Sequence, residues 1–184
     1  MTPITLYTER LIMRPWKDKD IEPFVLLNTD PRVCEFYPRH FTRTESLALI
    51  SRIREEMQRY GFGLWALEVK ASHEFIGYTG LKHLRRNHPL APNIEISWRL
   101  APAHWGKGYA MEAGKKALWY GLQELALPEV VAFTAAPNIR SQKVMERIGM
   151  VREKHRDFLH PDIPVEHMLR PHVTFAKKRN AEKQ

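Results

Sequence analysis

Two glycines and a lysine, Gly106, Lys107 and Gly108, stand directly ahead of a helical pattern in "APAHWGKGYAMEAGKKALWYGL". Glycine has no Cβ, so a ligand can come close to the main chain. The first turn of a helix leaves its N–H groups unpaired at the positive end of the helix dipole. Together these features make a cradle for a diphosphate; the alternative is a plain glycine turn joining strand to helix. Spacing excludes two better-known phosphate motifs. A Walker loop has four residues between its first glycine and a Gly-Lys followed by Ser or Thr. Here five residues separate Gly108 from Gly114, and Lys115 is followed by Lys116. A dinucleotide fingerprint starting at Gly106 requires a glycine where this chain has Met111.

Other side chains able to do chemistry lie on either side of that loop. Upstream, the strand pattern "IEISWRL" puts Glu95, Ser97 and Arg99 on one face and Ile94, Ile96, Trp98 and Leu100 on the other. Glu95 is there either as a solvated carboxylate or as a proton acceptor. Downstream, Asn138 and Ser141 fall where a helix begins, and both residue types fill helix-end positions readily. Cys34, the single cysteine, has no matched His or Asn context and reads as a buried or incidental thiol. None of the nine histidines forms an HExxH pair, and His160, His167 and His172 are irregularly spaced, so no metal is expected.

These residues must be positioned by one domain, since 184 residues suit a single compact unit. We expect that domain to span residues 1–176, followed by a basic tail at 177–184. No apolar run approaches the roughly 18 residues of a membrane span. An early Glu9 and Arg10 argue against a signal peptide, and one cysteine forms no internal disulfide, so a cytoplasmic protein is expected. The net charge of +8 is scattered rather than patched, so no specific nucleic acid is expected as a partner.

Alternating and helical patterns give the order βααβββαβαβ. "LYTERLIMRPW" reads as an opening strand, Asp18 and Asp20 cap a helix to about Leu27, and Thr44 with Ser46 opens a longer helix ending at Gly61. "LWALEVK", "EFIGYTGLKHL" and "IEISWRL" form an antiparallel meander. The helix after the glycines presents Ala110, Ala113, Gly114, Ala117, Leu118, Leu122 and Leu125 on one face. "PEVVAFTA" is a strand, "NIRSQKVMERIG" a short helix, "HMLRPHVTFAK" a last strand interrupted by Pro171, and a further strand is open near "MVREKHRDFL". Phe36, Tyr37, Phe41, Phe62 and Trp65 read as core residues or walls.

Three segments carry a family resemblance. "WGKGYA" resembles the acetyl-CoA loop of the GNAT N-acetyltransferase superfamily, with Gly106, Gly108 and Ala110 in the motif positions and Trp105 where Arg or Gln is commoner. "TERLIMRPWKDKD" and "IEISWRLAPAHWGKGYAMEA" resemble the RimJ/RimL-like branch, with Met13 in place of Leu and Trp98 in place of Tyr. "NIRSQKVMERIGM" is similar to its Asn-x-x-Ser segment, and the three together cover about residues 7 to 151.

The resemblance implies an α/β (α+β) GNAT fold, a mixed and mostly antiparallel sheet flanked by helices, with two central strands splayed around the pantetheine arm. It implies acetyl-CoA as cosubstrate and a primary amine as acceptor, either a protein N-terminal α-amine or a small-molecule amine of the antibiotic, polyamine or amino-acid kind. It implies coenzyme contacts from Trp98, Leu100, Trp105, Gly106, Lys107, Gly108, Tyr109, Ala110, Asn138 and Ser141. Glu95 is then the general base and Ser141 the donor to the departing sulfur. A monomer or homodimer is expected. A ribosome- or RNA-associated acetyl-CoA-binding module and an acetyl-CoA-responsive regulator, both without turnover, are the competing readings.

Overall fold

The computed structural model describes residues 2–179. Its strands are β1 (Leu6–Tyr7), β2 (Leu11–Arg14), β3 (Leu64–Val69), β4 (Phe75–His83), β5 (Ile94–Leu100), β6 (Glu129–Ala135), β7 (Val151–Arg152), β8 (Phe158–Leu159) and β9 (Pro171–Lys178). The α-helices are α1 (Ile21–Thr29), α2 (Arg43–Tyr60), α3 (Tyr109–Trp119) and α4 (Ile139–Arg147). The strands form one sheet in the order β1-β2-β3-β4-β5-β6-β9-β7, with β8 also paired to β9. All pairs are antiparallel except β5 with β6. This is the mixed sheet expected, and β3, β4 and β5 are the expected meander.

The two faces of the sheet are covered by different helices. On one face Trp65, Leu67, Ile76, Leu81, Ile94 and Ile96 meet Ala113, Ala117 and Leu118 of α3. On the other, Leu64, Ala66 and Tyr78 meet Phe24 and Leu27 of α1 and Ile50 and Ile53 of α2. The period of two along the strands divides the residues between these cores, with a β-bulge in the β3–β4 pairing letting Ile76 and Tyr78, two positions apart, face opposite ways.

Several boundaries differ from the sequence reading. The opening segment is two strands, not one, because the Thr8 hydroxyl accepts the Leu11 N–H at 3.0 Å while the Thr8 N–H donates to the Leu11 carbonyl at 3.0 Å, turning the chain back. The long helix is capped by Thr42, two residues earlier than expected. Its hydroxyl accepts from Glu45 N, and the Glu45 carboxylate accepts from Thr42 N at 2.8 Å, a reciprocal capping box. Helix α3 passes into a π-helical turn at Tyr120–Glu124, where Gly121 packs so closely that a Cβ would lie 2.9 Å from Leu81. Strand β9 starts at Pro171 instead of being interrupted by it, and it continues through Lys178, so the first two residues of the expected tail are strand while 180–184 lie outside the described residues. Two short strands, β7 and β8, occupy the region left open.

Gly80 in β4 allows β3 to approach: a Cβ there would stand 2.0 Å from the Gly63 carbonyl oxygen. Gly80→Ala is therefore expected to destabilise the protein by about 1–3 kcal/mol, read as a lower urea midpoint; an unchanged midpoint would show that the neighbouring backbone gives way freely.

Candidate functional site

Strands β5 and β6 pair only at Ile94 with Val130 and at Glu95 with Val131. Beyond Glu95, β5 stays paired to β4 as far as Leu100 and Gly77, and β6 stays paired to β9 as far as Ala135 and His172. The inner edges from Ile96 to Leu100 and from Ala132 to Ala135 therefore diverge. The splay that the resemblance implied is present, and Trp98 and Leu100 lie on its β5 edge.

The glycine loop closes the wide end of this gap. Gly106 has φ of 75° and Gly108 of 82°, left-handed conformations that side chains disfavour. Gly108 is the N-cap of α3 and supplies no side-chain cap. The N–H groups of Tyr109, Ala110 and Met111 thus have no intrahelical acceptor. A Cβ at Gly106 would meet nothing within 4 Å, so open space lies in front of the loop. These features fit the diphosphate of a coenzyme.

Trp105, the departure from the family pattern, donates its indole N–H to the Leu100 carbonyl at 2.7 Å and so ties the loop to the end of β5. The Arg140 guanidinium lies 4.7 Å from the Trp105 ring. Lys107 contributes a carbonyl that accepts from Arg10 Nη1 at 2.9 Å. The Tyr109 ring lies under Arg10, 4.6 Å from its guanidinium carbon, and Ala110 packs on the core.

Arg10 and its partners went unrecognised as site residues in the sequence. Arg10 also pairs with Glu112 in the first turn of α3 at 2.7 Å, and Thr8 donates to the same carboxylate at 2.6 Å. Burial works to raise the Glu112 carboxyl, but the hydrogen bonds from Thr8 and Arg10 outweigh it and hold it below the usual carboxylate range. The "TERL" segment thus clamps the loop. The motif was visible in the sequence, but its link to a residue about a hundred positions away was not.

Glu95 is 5% exposed at the closed end of the gap. Its register partner on β4 is Lys82, whose ammonium lies 3.2 Å from Oε2 and is its only charged partner among the described residues. Burial pushes the Glu95 carboxyl up, and Lys82 works against that shift. Asn138 is the N-cap of α4: its Oδ1 accepts from Ser141 N at 3.2 Å and its Nδ2 donates to Thr134 at 2.9 Å. The local role that the sequence allowed for Asn138 is therefore filled. Ser141 lies in the first turn of α4, directly after β6, and only its backbone N–H is engaged in the hydrogen bonds described.

Trp65 and Phe62 are core residues, whereas Tyr37 and Phe41 cover the Arg99 guanidinium. Cys34 is buried, with its sulfur 3.0 Å from the Asn28 carbonyl oxygen. Among the described residues no group of three or more His, Cys, Asp or Glu could hold a metal ion, and no helix is long and apolar enough to cross a membrane.

Gly106→Val places its branches in open space, so the chain should still fold, losing about 1–2 kcal/mol to the left-handed backbone. CoA binding should disappear in calorimetry; full affinity in a folded variant would exclude the loop as the coenzyme site.

The acetyltransferase (GNAT) domain profile matches residues 10–151. The YkkB protein of Bacillus subtilis is 32% identical over 146 residues, covering 79% of this chain and 84% of its own. The FsC-acetyl coenzyme A-N(2)-transacetylase of Aspergillus fumigatus is 30% identical over 153 residues, covering 79% of this chain and 64% of its own. The crystal structure of a GNAT-family acetyltransferase from Bacillus anthracis superposes with a TM-score of 0.78 at 25% identity, over 96% of this chain and 99% of that one. With its sheet, its splayed strands and its glycine loop, this chain belongs to the GNAT family of N-acetyltransferases, enzymes that use acetyl-CoA.

Proposed function

We propose that the protein moves an acetyl group from acetyl-CoA to a primary amine by direct attack within a ternary complex. The observation that carries this reading is the divergence of β5 from β6 after Glu95, with the open glycine loop at one end and a buried carboxylate at the other. The loop from Trp105 to Ala110 binds the diphosphate. The free edge of β5 at Trp98 and Leu100 pairs with the pantetheine arm, and Asn138 borders it from the opposite side. When bound, acetyl-CoA supplies the activated acetyl group.

This chain's own residues then manage protons and geometry. Glu95 removes the proton from the substrate ammonium, directly or through water. Burial raises its carboxyl, which brings the base nearer to neutral pH. Ser141 donates a hydrogen bond to the departing sulfur from the positive end of α4 and keeps its proton, while the thiolate is protonated by the proton the attacking nitrogen gives up.

The motif resemblance to the RimJ/RimL-like branch supports a protein N-terminal α-amine as acceptor. An α-amine titrates near about 8 against about 10.4 for lysine, so a carboxylate base has less to overcome. A small-molecule amine is the second reading, favoured by the enclosed face beside Glu95 where Tyr37 and Phe41 cover Arg99. The name of the Aspergillus relative, an N(2)-transacetylase, supports nitrogen as the acceptor atom. A cytoplasmic setting belongs to the same proposal.

A screen of CoA release across N-terminal peptides, polyamines, aminoglycosides and amino acids tests the activity. At least one class should exceed the rate of acetyl-CoA hydrolysis, and none doing so would reject transfer to amines. Glu95→Gln should lower turnover roughly 10²- to 10⁴-fold with CoA affinity unchanged. The base works only when deprotonated, so kcat/KM should fall as pH drops through its raised pKa, above the usual carboxylate range, and Glu95→Gln should remove that limb. Near-normal rates in the variant at neutral pH would leave Glu95 without a catalytic role.

Ser141→Ala separates the two roles open to that residue. Loss of turnover with an unchanged melting temperature is expected; a stability loss of about 1 kcal/mol with normal turnover would make it an ordinary helix-end residue.

A further inference from the structure

Arg99 lies on the same face of β5 as Glu95, with only Ser97 between them on that face. Its side chain is deeply buried, at 6% exposure for the residue, yet none of the ion pairs among the described residues includes it. Three rings surround the guanidinium, Tyr37 at 4.5 Å, Phe41 at 4.9 Å and Tyr78 at 5.7 Å. Asn28 of α1, fully buried, accepts from Nη1 through Oδ1. Arg99 Nε and Asn28 Nδ2 remain, two buried N–H donors with no acceptor among the described residues. Ring faces, the Tyr37 hydroxyl and one neutral amide offset only part of the cost of taking a whole positive charge out of water. The group that satisfies such donors is an anionic oxygen pair, and a carboxylate matches the planar fork of a guanidinium.

The surroundings make the position accessible from the acceptor face. Tyr37 is 39% exposed and meets Phe41 edge-on at 5.7 Å, so the aromatic cover over Arg99 reaches solvent. Between Arg99 and Glu95 on this face stands Ser97, which is half-buried, and the Cβ side of Gly80, its register partner on β4, is filled by the Gly63 carbonyl. Tyr78, the register partner of Arg99, is within electrostatic reach of Arg99, Lys82 and Glu95 alike. The two polar ends thus share one strip of β5, on the face turned toward α1 and α2.

We propose that Arg99 and Asn28 form an anion subsite, so that the acceptor carries both a primary amine presented to Glu95 and a carboxylate held by Arg99. This rests on the assignment of Glu95's face as the acceptor side. A strand rises about 3.3 Å per residue, which puts the Cα atoms of Glu95 and Arg99 about 13 Å apart. After both side chains take their share, a spacer separates the amine from the acid. An ω-amino acid has this form, and so does a peptide N-terminus with an acidic residue near its amine.

The test is calorimetric binding to the CoA-loaded protein of paired probes. These are ω-amino acids from glycine to aminohexanoate against the alkylamines of the same chain length, and Ala-Asp against Ala-Asn peptides, both amidated at the C-terminus. At the best length the carboxylate member should bind about tenfold or more tightly, and Arg99→Gln should abolish the preference while leaving CoA affinity unchanged. The peptide pair separates a protein source from a free amino acid. Equal or undetectable binding of both members at every length, or a preference that survives in Arg99→Gln, overturns the subsite. Arg99→Met gives a second readout: a merely structural cation would lose melting temperature there and leave the probe preference in place. Turnover is read separately. Carboxylate preference without CoA release would keep the subsite and remove the enzymatic reading, whereas acetylation of amines without preference would do the reverse.

Discussion

The molecule is organised around a parallel strand pair that is allowed to form for only two residues. After Glu95 and Val131, β5 and β6 each keep a full partner on the outer side, β4 and β9 respectively, so neither strand collapses when the inner edges part. Unpaired peptide groups inside a sheet demand partners. A ligand with its own amides, running strand-like into the gap, can supply them without any change in the fold. The elements that follow each strand then border the gap: β5 leads through Trp105 into the glycine loop, and β6 leads through Asn138 into α4 and Ser141.

The same geometry gives the two faces of β5 opposite characters. Ile94, Ile96 and Leu100 join the apolar core beneath α3, where burial favours folding directly. Glu95 and Arg99 point to the α1 and α2 side and are buried almost as deeply. Charges are placed there against the hydrophobic tendency, and the apolar core on the reverse face holds the strand in register while they are. Lys82, across from Glu95, is about a third exposed at its side chain, so this pair has a route to water that Arg99 lacks. The polar side of β5 is thus graded, from a charge with a part-exposed partner to one with no counter-ion among the described residues.

Features determined by neighbouring residues were legible in the sequence. The stripe containing Ala113, Gly114, Ala117 and Leu118 is buried as its spacing demanded, and both loop glycines take positive φ. The meander was equally clear, because alternation and turn residues agree there. The opening strand was misread because the alternating pattern continues across Thr8 to Arg10, and the chain is reversed by the hydrogen bonds that the Thr8 hydroxyl and backbone make with Leu11. Thr42 with Glu45 has the spacing of a capping box, so that boundary was recoverable. The ion pair between Arg10 and Glu112 was not, since no local period links residues so far apart. The burial of Arg99 also depends on tertiary structure, on a loop between α1 and α2 folding back over β5.

That distant ion pair resolves a contradiction at the glycine loop. An acidic residue in the first turn of α3 should repel an anion from the same helix end. Glu112 does not stand there as a free charge: Arg10 neutralises it at 2.7 Å and Thr8 takes a further share. The positive end of the helix is therefore left to act on whatever lies in front of Gly106. Arg10 does a second thing with the same guanidinium by drawing the Lys107 carbonyl toward itself. In a trans peptide the carbonyl and the following N–H point in opposite directions, so fixing the Lys107 oxygen turns the Gly108 N–H away from Arg10. A surface arginine near the start of the chain thereby sets the direction of a backbone donor in a loop nearly a hundred residues later.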